Sequence, residues 1–396
     1  MTAGGAPGTM GSVGPFRSGA GRWIAAGVLF SSAIFGCAQR AGATTTSFDV
    51  TGQAVVQVIG HAAPITIRTW NRNTVQIDWP DGAGFNASRS TQPTRPSFLI
   101  PTVSVAEVHG REGTVITTLL PEDFPVPKLA PGMHDVVRVV EALRPFVPGG
   151  PPPPALTLMI PESTGLVNVR SDRGAVTLND YHGTTIAADR RGRMTFNRVS
   201  GDAFVQPLNG SFYALDSSFD RLRIRSNRAD QVFDACRVKQ IEATTLTGNI
   251  VFDNGSFEPG LARFESDRGS IALGVNGGAQ LGVRTLDGHV FTDLPAAPAA
   301  PLIGRDETDT VQIAGEGGPL VSASSNHGDI LLFGGSLTEQ RPAQLGAGWR
   351  PMTDLLLAGR GLPRRPPLFA GQQPNRRPQA RPPGFWRGQP RRARLQ

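Results

Sequence analysis

The chain has 396 residues with 18% charged residues, 48 Gly, 34 Pro and two cysteines, Cys37 and Cys236. That length permits a large buried core, and two cysteines so far apart exclude a small disulfide-stapled scaffold. The net charge of +7 is sharply divided: 12 Arg against Asp354 alone give residues 341–396 a charge of +11, residues 1–43 carry +3, and residues 44–340 are left with −7, so the basic character belongs to a tail and not to a domain.

In chain order, residues 1–43 read as an export leader. Arg17 and Arg22 precede an apolar run from Trp23 to Phe35, short for a membrane span and of the right length for a signal-peptide core. Two exits compete, with an uncleaved anchor as a third outcome. Ile34, Phe35, Gly36 and Cys37 resemble a lipobox, in which Cys37 would become the lipidated first residue, although Phe35 is bulky there; Ala41, Gly42 and Ala43 fit ordinary small-residue cleavage. Met10 is an alternative start. Either processing leaves Cys236 as the only internal thiol, so stacking rather than a covalent staple must hold the fold.

Residues 44–79 contain Val56 and Val58, Ile65 and Ile67, and Val75 and Ile77. Such spacing of two reads as strands. Residues 80–154 form an insertion rich in turns, with a hairpin expected from Val103 to Leu120. One short helix is expected from Asp135 to Arg144, because Val136, Val137, Val140 and Leu143 share a helical face and Pro145 stops it. Its role is either a cap over an adhesive β edge or a surface excursion. Pro151–Pro154 forms a stiff bridge into a repeated segment.

Residues 155–340 repeat one phrase: an apolar pair two apart, a Ser or Thr, two polar residues, a Gly, and another apolar pair. Val167, Val169, Ser171, Gly174, Val176 and Leu178 carry it, and the four residues Ser171–Gly174 recur identically at Ser266–Gly269. The Gly position falls at Gly174, Gly192, Gly210, Ala229, Gly248, Gly269, Gly288, Asp309 and Gly328, in steps of 18 to 21. Each phrase predicts strand, corner, strand. Since one such coil cannot enclose a core, each should stack on the next in chain order, as a β-solenoid. The corner glycines are expected to supply positive φ. The hydroxyl column Ser171, Ser226, Thr245, Ser266, Thr285 and Ser325 is expected to bond backbone at the corners.

Leu156–Ile160, Pro161 and the Val167 phrase with its successors resemble a bacterial putative-adhesin domain family of unknown function, over roughly residues 47–333. The resemblance implies an exported all-β solenoid and brings no catalytic residues with it. The interruption from Pro80 to Pro154 departs from that pattern.

Residues 341–396 are expected to be disordered and extended, with Arg364, Arg365, Arg376, Arg377, Arg391 and Arg392 as a candidate anion-binding arm and Phe385 and Trp386 as its main aromatics. The competing reading is a solvated tail. Chemistry is sparse. No Gly-x-Ser-x-Gly elbow, His-Glu-x-x-His helix, paired-cysteine site or phosphate loop occurs, and His61, His109, His134, His182, His289 and His327 lack ligand spacing, so no metal or cofactor is expected. His289 and His327 read as turn residues about two coils apart. The polar residues Asp172, Arg173, Asp189, Arg191, Asp267 and Arg268 all read as solvated corner charges between the hydroxyl column and the Gly. The expectation is a non-catalytic envelope module whose partner is an envelope polymer, an anionic membrane surface or another protein, with self-association open and nucleic acid not expected. A bactofilin-like polymer and a β-helix polysaccharide lyase or hydrolase are the alternatives.

Overall fold

The computed structural model describes residues 43–81, 84–90, 135–142, 152–275, 279–292, 294, 309–313, 318–337 and 350–359. Cys37, the expected hairpin from Val103 to Leu120 and the arginine arm from Arg364 to Arg392 lie outside the described residues.

Among the described residues there are 25 strands and one helix. The chain opens with β1 (Ala43–Asp49), β2 (Ala54–Ile59), β3 (Ile65–Trp70), β4 (Thr74–Pro80), β5 (Phe85–Ser90), β6 (Asp135–Glu141) and β7 (Leu156–Pro161). A regular run begins with β8 (Thr164–Ser171), β9 (Val176–Asn179), β10 (Thr184–Asp189), β11 (Arg193–Asn197), β12 (Ser200–Pro207) and β13 (Ser211–Leu215). It continues with β14 (Ser218–Ser226), β15 (Asp230–Asp234), β16 (Arg237–Thr245), β17 (Ile250–Asp253), β18 (Ser256–Phe257), β19 (Leu261–Ser266) and β20 (Ile271–Gly274). Last come β21 (Gln280–Asp287), β22 (Val290–Thr292), β23 (Asp309–Ile313), β24 (Leu320–His327), β25 (Ile330–Phe333) and the helix α1 (Arg350–Gly359).

The strands form two large, mostly parallel sheets. Sheet A runs β1-β4-β7-β3-β9-β11-β13-β15-β17-β20-β25-β22, and sheet B runs β23-β21-β24-β19-β16-β14-β12-β10-β8-β2-β6-β5, with β18 beside β16. In the regular run the chain alternates between them, so that β8 passes into β9, β10 into β11, and so on. Each such pair is one level. Registers between levels are in step: Val167 faces Thr185, Ile186 faces Phe204, Leu222 faces Ile241 and Ile241 faces Ala262.

Alternation makes the core. On β14, Leu222 and Ile224 point inward while Arg223 and Arg225 point out, and on β15 Phe233 meets them from the other sheet. Phe196, Phe212, Phe233 and Phe252 succeed one another at centroid distances of 5.1, 5.9 and 6.1 Å. Each buried ring contributes roughly 1.5–3 kcal/mol, most of it against neighbouring levels.

Stacking order departs from chain order at both ends. The β24/β25 level lies between β19/β20 and β21/β22, Leu261 and Gln280 both facing Leu320. The β2/β3 level lies between β6/β7 and β8/β9. The frame read at Asp309 is corrected: β23 pairs antiparallel with β21, Val311 opposite Val283. Alternation of Val311 and Ile313 suits either direction, so periodicity could not choose. Antiparallel strands also flank β7 (β4, then β1) and β6 (β5).

The helix expected from Asp135 to Arg144 is instead strand β6. Its valines are β-branched and buried on both faces, and β2 and β5 offer edges on either side, so pairing overrides a short helical pattern. Its ends are pinned: Asp135 Oδ2 accepts the Thr51 N–H at 2.8 Å and Oδ1 meets Arg89 at 2.7 Å, while Glu141 Oε2 accepts the N–H groups of His61, Ala62 and Ala63. The expectation of disorder throughout 341–396 is likewise corrected at α1. Leu355 packs on a column formed by Tyr213, Val232, Val251, Ala272 and Leu331 on the outer face of sheet A. Arg193 stacks 4.2 Å from the centroid of the Tyr213 ring and donates to the Ala358 carbonyl at 2.8 Å, holding the helix by its C-terminal end.

Candidate binding face and its corner columns

The corner glycines stack directly on one another. A Cβ added at Gly192, Gly210, Gly269, Gly328 or Gly288 would fall well inside 3.0 Å of the carbonyl oxygen of Gly174, Gly192, Gly248, Gly269 or Gly328 respectively, and one at Gly174 or Gly248 would meet Ala63 or Ala229 in the same way. None of these glycines has positive φ. The expected reason is therefore corrected: glycine is required by close approach of backbone between levels. Positive φ belongs to the opposite corner, from sheet A back to sheet B. There Asp180, Arg198, Asp216, Ala235 and Asn254 have φ between 48° and 57°. The N–H groups of the first four bond the carbonyl oxygens of Asn197, Leu215, Asp234 and Asp253, each at 3.0 Å.

Beside the glycines runs the hydroxyl column. Ser266 Oγ donates to Gly248 O at 3.1 Å, Ser325 Oγ to Gly269 O at 3.0 Å and Thr285 Oγ1 to Gly328 O at 2.8 Å, each to the carbonyl that excludes a Cβ on the stacked glycine. Ser171 Oγ bonds Gly174 O at 2.9 Å, Thr245 Oγ1 bonds Ala229 O and Ser226 Oγ bonds Thr244 O, both at 3.4 Å. Every member is buried.

Asp189 belongs to this column and not, as read from the sequence, to the solvated corner. It faces Ser171 and Pro207, is 0% exposed, and accepts the Gly192 N–H through Oδ1. Burial pushes its pKa up to about 6, against the hydrogen bonds it accepts. Four of the other polar corner residues form surface pairs: Asp172 meets Arg173 at 3.0 Å and Arg190 of the next level at 3.1 Å, and Asp267 lies 3.6 Å from Arg268, while Arg191 is exposed. They spread along the stack and do not converge with Asp189 on a cleft. His289 and His327 lie on adjacent levels, not two apart; His327 Nδ1 is 3.2 Å from Asp287 and His289 Nδ1 is 3.7 Å from Asp329. Among the described residues no three His, Cys, Asp or Glu side chains group as a metal site, and no helix is long and apolar enough to cross a membrane. Cys236 is buried, its Sγ donating to Ala214 O at 3.3 Å, and burial pushes its pKa up to about 12.

The outer face of sheet B carries the candidate binding arrangement. Its outward rows run in register across levels, and Arg223 and Arg225 meet Glu242 at 2.6 and 3.6 Å. Farther along, Arg263 and Glu265 pair at 2.6 Å. There β24 presents only Ser322 and Ser324 between Arg263 and Glu265 on β19 and Gly282 and Arg284 on β21. Small residues in the middle row leave a trough of about 390 Å³ with a hydroxyl floor, walls carrying Arg263, Glu265 and Arg284, and the exposed Leu261 at its side. Its flanking strands are two spacings apart, about 10 Å. That width suits one extended chain. This trough was missed in the sequence because Ser322 and Gly282 are 40 residues apart and become neighbours only through the inserted level.

No family model matches the chain, and no curated protein matches it. A solved structure of a "putative cell adhesion protein" from Clostridium sporogenes is similar over 74% of this chain and 99% of that one, at 7% identity and a TM-score of 0.25. A likeness of that size carries no argument about this chain.

Proposed function

We propose that the chain is an exported, non-catalytic β-solenoid of the cell envelope, whose sheet B face binds an extended envelope polymer or a partner protein in an adhesin-like way. The observation that carries this is the trough of about 390 Å³ on that face, floored by Ser322 and Ser324 and walled by Arg263, Glu265 and Arg284. The in-register levels and their corner columns support the solenoid reading. Antiparallel strands beside β6, β7 and β21 weigh against end-to-end growth as a bactofilin-like polymer, since they occupy edges on which another copy would add. Dispersal of the Asp and Arg corner residues over separate levels favours binding over polysaccharide cleavage.

The test is binding of the mature chain to isolated envelope fractions and to a glycan array, with Ser324→Tyr filling the trough. Loss of binding with an unchanged melting temperature is the expected result; equal binding by the variant would move the partner elsewhere. Intact mass of the mature chain separates lipidation at Cys37 from cleavage after Ala43. Polysaccharide turnover that disappears in Asp172→Ala or Asp267→Ala would replace the binding reading with an enzymatic one.

A further inference from the structure

Toward the β5 end of sheet B three polar side chains are buried on its outer face. Gln57, Asn168 and Arg170 are 3%, 3% and 4% exposed. Register gathers them: Gln57 faces Asn168 and Ile59 faces Arg170 across β2 and β8, with Arg138 opposite Gln57 on β6. Together with Val58 and Ile59 they line one cavity with about 10 Å³ of space for the centre of a water-sized body, close to what a single such body needs.

The groups around this space are mainly donors. Gln57 Nε2, both amide atoms of Asn168, and Nε and Nη1 of Arg170 have no hydrogen-bond partner. Gln57 Oε1 accepts Arg138 Nε at 3.1 Å, which leaves its amide nitrogen as the free donor. Among the described residues the lining holds two guanidinium groups and no carboxylate. Burial draws the Arg170 pKa down only to about 10, so the group is still a cation at neutral pH, and a buried cation without a counter-charge is strongly unfavourable. A water molecule would satisfy some of these donors and leave that charge uncompensated.

We propose that Gln57, Asn168 and Arg170 form a buried site for one halide-sized monovalent anion, which accepts their N–H groups and neutralises Arg170. The cavity volume excludes polyatomic anions such as sulfate or gluconate. An anion bound to the native state alone stabilises it by mass action, and for a chain of this size the rise in melting temperature should be on the order of a few degrees at about ten times the Kd.

The test uses the full mature chain in potassium chloride or bromide against potassium gluconate at fixed ionic strength. A rise in melting temperature that grows with the logarithm of chloride concentration above the Kd is expected in the natural protein. Arg170→Met, which fills a similar volume without charge, should fold, lose the chloride dependence, and melt in gluconate at or above the natural protein. Should that variant fail to fold, bromide-soaked crystals decide directly, with an anomalous peak expected between Arg170 and the two amides. Equal melting in both salts, a chloride response that survives in Arg170→Met, or bromide density absent from the cradle would overturn the assignment.

Discussion

Asp189→Ser tests the corner column most directly. At the same position Ser171 lies one level away and Pro207 on the other side, with Ser226 and Thr245 farther along; all are neutral, and the three hydroxyls bond backbone carbonyls. Asp189 puts a carboxyl there with 0% exposure and the Asp172 charge nearby. Its pKa rises from 3.8 to about 6, so between those values the folded protein holds more protons than the unfolded chain. The resulting stability is full below about pH 4 and is lost as pH rises through about 6. A shift of about two units corresponds to roughly 3 kcal/mol. Removing the carboxyl also removes its bond to the Gly192 N–H, worth about 1 kcal/mol, so at pH 7.5 Asp189→Ser should be more stable by about 2 kcal/mol, and at pH 4 slightly less stable. Denaturant unfolding of both proteins from pH 4 to 8 measures this. Taking the difference between them cancels Asp202 and Asp253, whose pKa values burial raises in the same direction. A difference that stays flat across this range would refute the buried-carboxyl reasoning.

The geometry sets three further outcomes. Gly269→Ala should destabilise by about 1–3 kcal/mol, because its Cβ meets Gly248 O and not because of φ; Gly282→Ala, with nothing within 4 Å of its Cβ, should change stability by less than about 1 kcal/mol. Equal melting shifts for the two would remove the close-approach argument. Cys236 should resist thiol reagents at pH 8 in the native protein and react only on unfolding, since burial pushes its pKa up to about 12; stoichiometric native labelling would contradict its placement. Deleting residues 361–396 removes nine Arg and should abolish any binding to anionic vesicles at low salt, with intact-chain binding screened as the Debye length shortens from ~10 Å at 0.1 M to ~3 Å at 1 M. Binding that survives deletion or high salt would assign the contact to the sheets.

Levels were legible because Ser171–Gly174 and Ser266–Gly269 mark corners and spacing of two marks strands on either side. Asp189 was legible too, since it precedes Gly192 by the same three residues that separate Ser171 from Gly174; reading it as a corner charge ignored its own offset. Direction and neighbour order were not legible. Alternation tells which side chains face the core but not which strand lies beside, so β23 could not be read as antiparallel nor β24 as inserted, and the Ser322–Gly282 trough depends on that insertion. Composition averaged over 341–396 hid the ten residues of α1, where the Leu355–Leu357 run comes after Pro351 and only the apolar column from Tyr213 to Leu331 gives it something to cover. The same limit explains the glycines. A repeated Gly says that a Cβ is excluded, and whether torsion or a neighbouring backbone excludes it depends on what lies one level away. For Gly269 that neighbour is Gly248, 21 residues earlier. Its carbonyl leaves no room for a Cβ and also accepts the Ser266 hydroxyl, so one contact accounts for both repeated residues of the phrase.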